Sequence, residues 1–229
     1  MRMNKKLTLQ ERLLSDTLLW MVNAGGSSID VIDSLARAGA ECVFIDCERT
    51  AINIESITPM VRTIHAHGMF AVLRSESLQP EVLIRYLDRG IDGLISPHIE
   101  TTDQLQMIHE VVDYVGCSQS RDIFKIAQIE SVKALENICH FSLPKTTDAF
   151  LIGPNDLSHS LGLKGSQTDP LLWQKVDEVI EELNQQQRTW GIPGNPQTAT
   201  NWVNKGANFL YCSVDQILKL GFANFCKTN

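Results

Sequence analysis

Two acids carry the first hint of chemistry in this sequence. Glu130 closes the run IFKIAQIE (123–130), and Asp156 sits in the Gly153-Pro154-Asn155-Asp156 turn that follows DAFLIG (148–153). Carboxylates ending neighbouring apolar strands can share a hard divalent cation, with waters or substrate oxygens completing an octahedron. The same two acids would also serve as helix caps or salt-bridge partners. They are not isolated. ECVFID (41–46) runs into Asp46-Cys47-Glu48-Arg49, MFAVLR (69–74) ends in Arg74, DGLISP (92–97) leads to His98, and Gln128 stands two residues before Glu130. A charged or amide group closing an apolar strand must meet solvent, a partner or a ligand, because unpaired burial is costly. Five such junctions in one chain point to a site.

The elements that would position them alternate. TLLWMVN (17–23), TWGIP (189–193) and ANFLYCS (207–213) join the five runs above as β-like segments. Stretches with helical periodicity separate them: 28–38, 54–67, 80–89, 101–113, 131–140, 170–187, 196–205 and 214–226. Ser27-Ser28 and Thr101-Thr102 read as helix starts, and Gly39, Gly68, Gly90 and Gly206 as helix ends. Eight strand–helix units in 229 residues fit an α/β architecture, a single (β/α)8 TIM barrel over residues 1–229. A doubly wound open sheet would call for a glycine-rich nucleotide loop after the first strand. AGGSS (24–28) has no G-x-G-x-x-G spacing and reads as a turn plus helix cap.

Composition excludes several classes. A chain that is 43% hydrophobic and 21% charged is neither disordered nor fibrous. Its net charge of -7 argues against general nucleic-acid or anionic-membrane binding. No apolar run approaches the roughly 18 residues of a membrane helix, and the basic start MRMNKKLTLQERLLSD has no apolar region of a signal peptide. Six cysteines without C-x-x-C or zinc spacing read as reduced thiols of a cytoplasmic protein.

At VFIDCE, AVLR with LIRYLDRGIDGLISP, IAQIES and FLIGPNDLSHSLG, the chain resembles the HpcH/HpaI family of metal-dependent class II pyruvate aldolases. That family includes 4-hydroxy-2-oxoheptanedioate and 2-keto-3-deoxy-L-rhamnonate aldolases. The likeness extends more distantly to the citrate-lyase β-subunit and malyl-CoA lyases. It implies a carbon–carbon lyase acting on 2-oxo acids through a metal-bound pyruvate enolate, with an aldehyde as the second partner. Glu130 and Asp156 would hold the metal (Mg, Mn or Co), and Gln128 would contact substrate. Arg74 would stabilise the enolate, and the Gly153, Pro154, Asn155 turn would offer N–H groups to the pyruvate carboxylate. Glu48 belongs to the same catalytic set. Asp88 would reach a neighbouring subunit's site, making the active form a homo-oligomer, a trimer or hexamer.

The resemblance also implies two departures. The family reads Asp-Gly-Glu-His where this chain has Asp46-Cys47-Glu48-Arg49, so Arg49 stands in place of a catalytic histidine. The segment HEVVDYVGCSQSRDI (109–123) is short and lacks an arginine- and glycine-rich loop that covers the site. Arginine stays protonated in proteins and cannot act as a base. Arg49 could pair with Asp88, or grip a carboxylate or phosphate on the substrate. His98 could supply the missing base from another direction, or simply donate to loop carbonyls. Cys47, flanked by acids, reads as inert. Besides the aldolase, two readings stay open: a citrate-lyase or malyl-CoA-lyase-like enzyme, and a ketoacid-binding protein with impaired aldol chemistry.

Overall fold

Residues two apart along a strand share a face, and that parity decides what enters the middle of this molecule. The computed structural model describes residues 7–15, 17–142 and 146–226; the lysine-rich start at 1–6, on which the signal-peptide reading leaned, lies outside them. Eight parallel strands form one closed barrel in chain order. They are β1 Leu19–Asn23, β2 Cys42–Asp46, β3 Phe70–Arg74, β4 Gly93–Ser96, β5 Phe124–Ile129, β6 Ala149–Ile152, β7 Thr189–Pro193 and β8 Phe209–Ser213. The helices are α1 Leu9–Leu13, α2 Ile29–Arg37, α3 Ile54–Ala66, α4 Pro80–Leu87, α5 Thr102–Gln119, α6 Val132–Glu136, α7 Ile138–Ser142, α8 Pro154–Ser160, α9 Pro170–Gln185, α10 Pro196–Asn204 and α11 Val214–Phe225. The barrel expected from the sequence is the barrel observed.

Inside it, Leu19, Met21, Cys42, Phe44, Phe70, Val72, Ile95, Phe124, Ile126, Ala149, Leu151 and Phe209 form one apolar cluster. Leu9 and Leu13 of α1 join that cluster, so this short helix plugs the end where the strands begin. Arg12 anchors the plug through paired 2.7 Å bonds to Glu41 and a 2.8 Å bond to the Thr17 carbonyl. A second, larger cluster lies between the barrel's outer face and the helices. Continuing the inward parity by one step, to the strands' C-terminal ends, brings Asn23, Asp46, Arg74 and Gln128 above the apolar layers.

Four local outcomes differ from the sequence expectation. The helix expected over 101–113 runs on to Gln119, because Leu105, Ile108, Val112 and Val115 continue one buried stripe without a breaker. The expected helix over 131–140 is two short ones, divided at Asn137, whose amide caps the Lys133 carbonyl at 3.0 Å. Helices α1 and α8 were not anticipated. Segment 109–123, expected to bear on the site's cover, is the end of α5 and its turn into β5. It therefore lies at the opposite end of the barrel from this chain's own mouth.

Helix α11 is unusual in burying none of its residues and leaving Ile217, Leu218 and Phe222 exposed. No helix among the described residues is long and apolar enough to cross a membrane.

Packing inside the barrel is tight where β7 meets β8. A Cβ on Gly191 would lie 2.3 Å from the Phe209 ring and 2.5 Å from its carbonyl oxygen. Gly191→Ala should therefore lower stability by about 1–3 kcal/mol in urea unfolding, the usual cost of overpacking. Gly26→Ala, with nothing within 4 Å of the added carbon, should leave the midpoint unchanged. Equal midpoints for both variants would contradict this packing.

Candidate active site

The β2–β3 register sets Asp46 directly beside Arg74. Arg74 donates from Nε (3.0 Å) and Nη2 (2.7 Å) to the two Asp46 oxygens. Asp46 also accepts from Asn23 Nδ2 (3.3 Å) and from the backbone N–H groups of Glu48 and Arg49 (3.2 Å each). Asn23 is tied onward to the Tyr211 hydroxyl at 3.2 Å. The guanidinium carbon of Arg74 lies 5.6 Å from the Phe44 ring centre, and Phe44 packs against Tyr211 at 4.8 Å. Five donors and an aromatic floor thus lock this ion pair at the top of the apolar layers. Burial works against the Arg74 charge, but Asp46 and Glu48 outweigh it and raise its pKa.

From Arg74 the contacts close into a ring. Its Nη1 lies 2.9 Å from Glu48 Oε2 and donates to Gln128 Oε1 at 3.4 Å. The Gln128 amide donates to Glu130 Oε2. His98 donates its backbone N–H to Glu130 Oε1 (2.8 Å), while its ring Nδ1 lies 2.9 Å from that oxygen and its Nε2 3.0 Å from Glu48 Oε1. His98 holds this place with a left-handed backbone (φ 53°), which a non-glycine residue rarely adopts. Its side chain remains 60% exposed.

Asp156 completes the site. Pro154 at the first position of α8 turns the chain just after β6, and Asp156 falls in the first helical turn. Arg49 Nη2 donates to both Asp156 oxygens, each at 2.7 Å. Glu130 and Asp156 lie near enough to act on each other's carboxyl. Burial pushes the Glu130 carboxyl up, with help from the negative charges of Asp156 and Glu48. Burial also opposes ionisation of Asp156, yet Arg49 overcomes it and holds that carboxyl below its ordinary range. A Cβ at Gly153 would stand 3.0 Å from Glu130, tighter than ordinary contact, so a larger residue would press on that carboxylate.

Seven of the expected residues therefore gather at one mouth: Glu48, Arg49, Arg74, Gln128, Glu130, Asn155 and Asp156. Three expectations change. The Gly153 N–H is used by the Ile129 carbonyl (2.9 Å) and Pro154 has none, so neither can donate to a ligand. Within the turn that leaves the N–H groups of Asn155 and Asp156, which begin a helix and have no partner inside it. Asp88 caps α4 at the far end of the barrel and accepts from Gln119 at 2.9 Å. Inside one chain Arg49 pairs with Asp156, not Asp88. For Cys47, burial more than its acidic neighbours pushes the thiol up to about 12. Asn23 and Tyr211 were missed, although an amide ends TLLWMVN and Tyr211 shares parity with the interior Phe209.

A cavity of about 190 Å³ opens beside this network, lined by Arg49, Arg74, Gln128, Asp156 and the apolar Phe44, Leu151, Pro193 and Tyr211 among others. A larger cleft of about 490 Å³, lined by Asp92, Lys125 and Asp148, lies at the opposite end beside α1, away from this network. Among the described residues, no group of three or more His, Cys, Asp or Glu side chains is arranged to hold a metal ion.

The sequence profile described as HpcH/HpaI aldolase/citrate lyase matches residues 18–216. The chain belongs to that family. A 4-hydroxy-2-oxo-heptane-1,7-dioate aldolase of Shigella sonnei (strain Ss046) is 25% identical, over 87% of this chain and 84% of that one. A 2-dehydro-3,6-dideoxy-6-sulfogluconate aldolase of Pseudomonas putida is 22% identical, over 90% and 88%. The crystal structure of the citrate synthase SbnG superposes with a TM-score of 0.85 at 22% identity, covering 96% of this chain and 97% of that one. At that identity the structural match speaks for the family's barrel alone.

The Asp46–Arg74 pair is buried, with side-chain exposures of 3% and 9%. Asp46→Ala should leave the buried guanidinium with Glu48 as its remaining carboxylate and cost about 3–5 kcal/mol in urea unfolding. The double variant Asp46→Ala/Arg74→Met removes the under-compensated charge and should recover part of that loss. A single-variant cost below about 1 kcal/mol, the size of an exposed pair, would contradict the arrangement.

Proposed function

We propose that this protein is a divalent-metal-dependent carbon–carbon lyase of the aldolase type, acting on a pyruvate-like 2-oxo acid and an aldehyde. The observation that carries the reading is the convergence of Arg74, Gln128 and Asp156 on one cavity, with Glu130 hydrogen-bonded to Gln128, in a chain whose family contains such aldolases. The residues fit a hard cation. Burial first, and then the negative charges of Asp156 and Glu48, raise the pKa of Glu130, so a cation shared with Asp156 would relieve both. Glu48 Oε2 is buried and accepts no hydrogen bond, although Arg74 lies beside it. A cation held by Glu130 and Asp156 would act as a Lewis acid on the 2-oxo group, and oxygen donors suit Mg and Mn and tolerate Co.

The chain's own groups supply the rest. Arg74 is permanently charged and fixed, so it meets negative charge growing on the 2-oxo oxygen without reorganising. Gln128 can orient the bound acid through its amide, and the Asn155 and Asp156 N–H groups suit a carboxylate. Phe44, Leu151, Pro193 and Tyr211 form an apolar wall that excludes water from the reacting carbons. Arg49 cannot take the proton of a substrate hydroxyl. His98, exposed at the rim between Glu48 and Glu130, is placed to move one.

The Arg49–Asp156 pair favours a second reading, a ketoacid-binding protein whose enolisation survives and whose cleavage is slow. Assembly belongs to the same proposal. The uncovered apolar face of α11 and the distant Asp88 support a homo-oligomer, a trimer or hexamer, in which Asp88 approaches Arg49 of a neighbouring copy.

With Mg or Mn present, the protein should exchange the methyl protons of pyruvate in deuterated solvent, followed by NMR. Retro-aldol cleavage of a 4-hydroxy-2-oxo acid should be slower. Glu130→Ala/Asp156→Ala, or excess chelator, should abolish both reactions. Exchange that survives chelation would overturn the metal dependence, and exchange without any cleavage would favour the binding protein. Light scattering should show a trimer or hexamer; a monomer at working concentration would contradict the assembly.

A further inference from the structure

Arg49 holds an exposed ion pair at the mouth that can be remade. Arg74 is buried and answered by both Asp46 and Glu48. Arg49 is 51% exposed, lies on the turn after β2, and has Asp156 as its one ion-pair partner among the described residues. Its terminal nitrogen covers both Asp156 oxygens at 2.7 Å, so the guanidinium occupies the positions a cation would use. Every oxygen of Glu130 and Asp156 already accepts from a protein donor: His98 and Gln128 on Glu130, Arg49 and Asn155 on Asp156.

We propose that Arg49 is a tethered cation that competes with the divalent metal for Asp156 and, when displaced, binds an oxyanion in the same cavity. Metal and anion then bind with positive coupling. This rests on the metal reading above but concerns a different residue. The charges on the cavity wall explain the direction. Its charged lining residues are Arg49, Arg74 and Asp156. Once a metal takes Asp156, Arg49 keeps within its own chain only the longer-range attraction of Glu48 and the repulsion of Arg74. A carboxylate or phosphate on the acceptor half of the substrate relieves that imbalance, and the guanidinium fork suits either group. Coupling is reciprocal, so an anion that draws Arg49 off Asp156 must tighten the metal by the same factor. The sequence position at which the family resemblance expects a base would then serve as an anion receptor that senses metal loading.

The test is calorimetric titration of the full-length protein with MnCl₂, with and without sodium sulfate at matched ionic strength. Arg49→Met should bind Mn²⁺ roughly tenfold or more tightly than wild type, within the usual range of such couplings. Sulfate should tighten Mn²⁺ binding to wild type and leave Arg49→Met unchanged. A direct readout comes from NMR of arginine labelled with ¹⁵N in its guanidinium group, the Arg49 signals being assigned by their loss in Arg49→Met. An ion-paired guanidinium rotates slowly and gives two resolved Nη signals, which should collapse to one as Mg²⁺ is added. Equal Mn²⁺ affinity in wild type and Arg49→Met would overturn the competition while leaving the metal site standing. Split Nη signals that persist at Mg²⁺ saturation would overturn the displacement. Metal binding to neither protein would overturn the metal reading itself and this inference with it.

Discussion

The buried ion pair between Asp46 and Arg74 is the constraint on which the mouth of this barrel depends. Taking both charges out of water is expensive, and their mutual attraction repays it only when the remaining hydrogen-bonding capacity is filled. Here it is filled from several elements: Asn23 from β1, the backbone just after β2, and the guanidinium itself from β3. Remove the β2–β3 register and the pair cannot form, because a one-residue slip would turn Arg74 outward. Since Arg74 also reaches Gln128 and Glu48, the positions of the amide and the acid on either side follow from it.

A site built this way accumulates negative charge. Asp46, Glu48, Glu130 and Asp156 face two arginines and the ring of His98, so the balance is set by which cation serves which acid. Arg74 is committed to Asp46 and Glu48. His98 bridges Glu48 and Glu130, and its left-handed backbone is the strain that aims both its N–H and its ring at Glu130. Strain of this kind persists only where surrounding contacts over-determine it. Asp156 is left to Arg49. The opposite pKa shifts of the two neighbouring acids follow directly: Glu130, deeply buried beside other acids, is raised, and Asp156, covered by a guanidinium, is lowered.

Much of this was legible in the sequence, for a physical reason. Parallel strands buried on both faces read as continuous apolar runs, so a polar residue closing one stands out, as Arg74, Gln128 and Asp156 do. The barrel followed from counting those runs. Partnerships were harder to read. Arg49 could be matched with Asp88 on paper, yet the two lie at opposite ends of one chain, because α4 carries Asp88 back to where β4 begins. His98 looked like any loop histidine, since nothing in a sequence encodes a positive φ at a residue other than glycine. Asn23 escaped notice because its value lies in a bond to Asp46 that forms only when β1 and β2 pair. The plug helix α1 escaped for a similar reason: Leu9 and Leu13 gain meaning only once an open barrel end exists for them to fill.

The site thus divides its charges into fixed and movable ones, and that division bears on what it can catalyse. Arg74 sits on a strand, is bonded at three of its nitrogens and stacks near Phe44, so its charge is present before any substrate arrives. Groups that stabilise charge developing in a transition state are most effective when they do not have to reorganise, and Arg74 meets that condition. Arg49 sits on a turn, is half exposed and meets Asp156 through one nitrogen. Its contribution changes with what else is bound, which suits selection between ligands and makes it a poor element of a fixed catalytic frame. On the proposed reading, charge stabilisation at the 2-oxo oxygen is therefore built into the fold through β2 and β3. The same reading leaves recognition of the second substrate to the turn just beyond them, where one long side chain can exchange partners without disturbing the barrel.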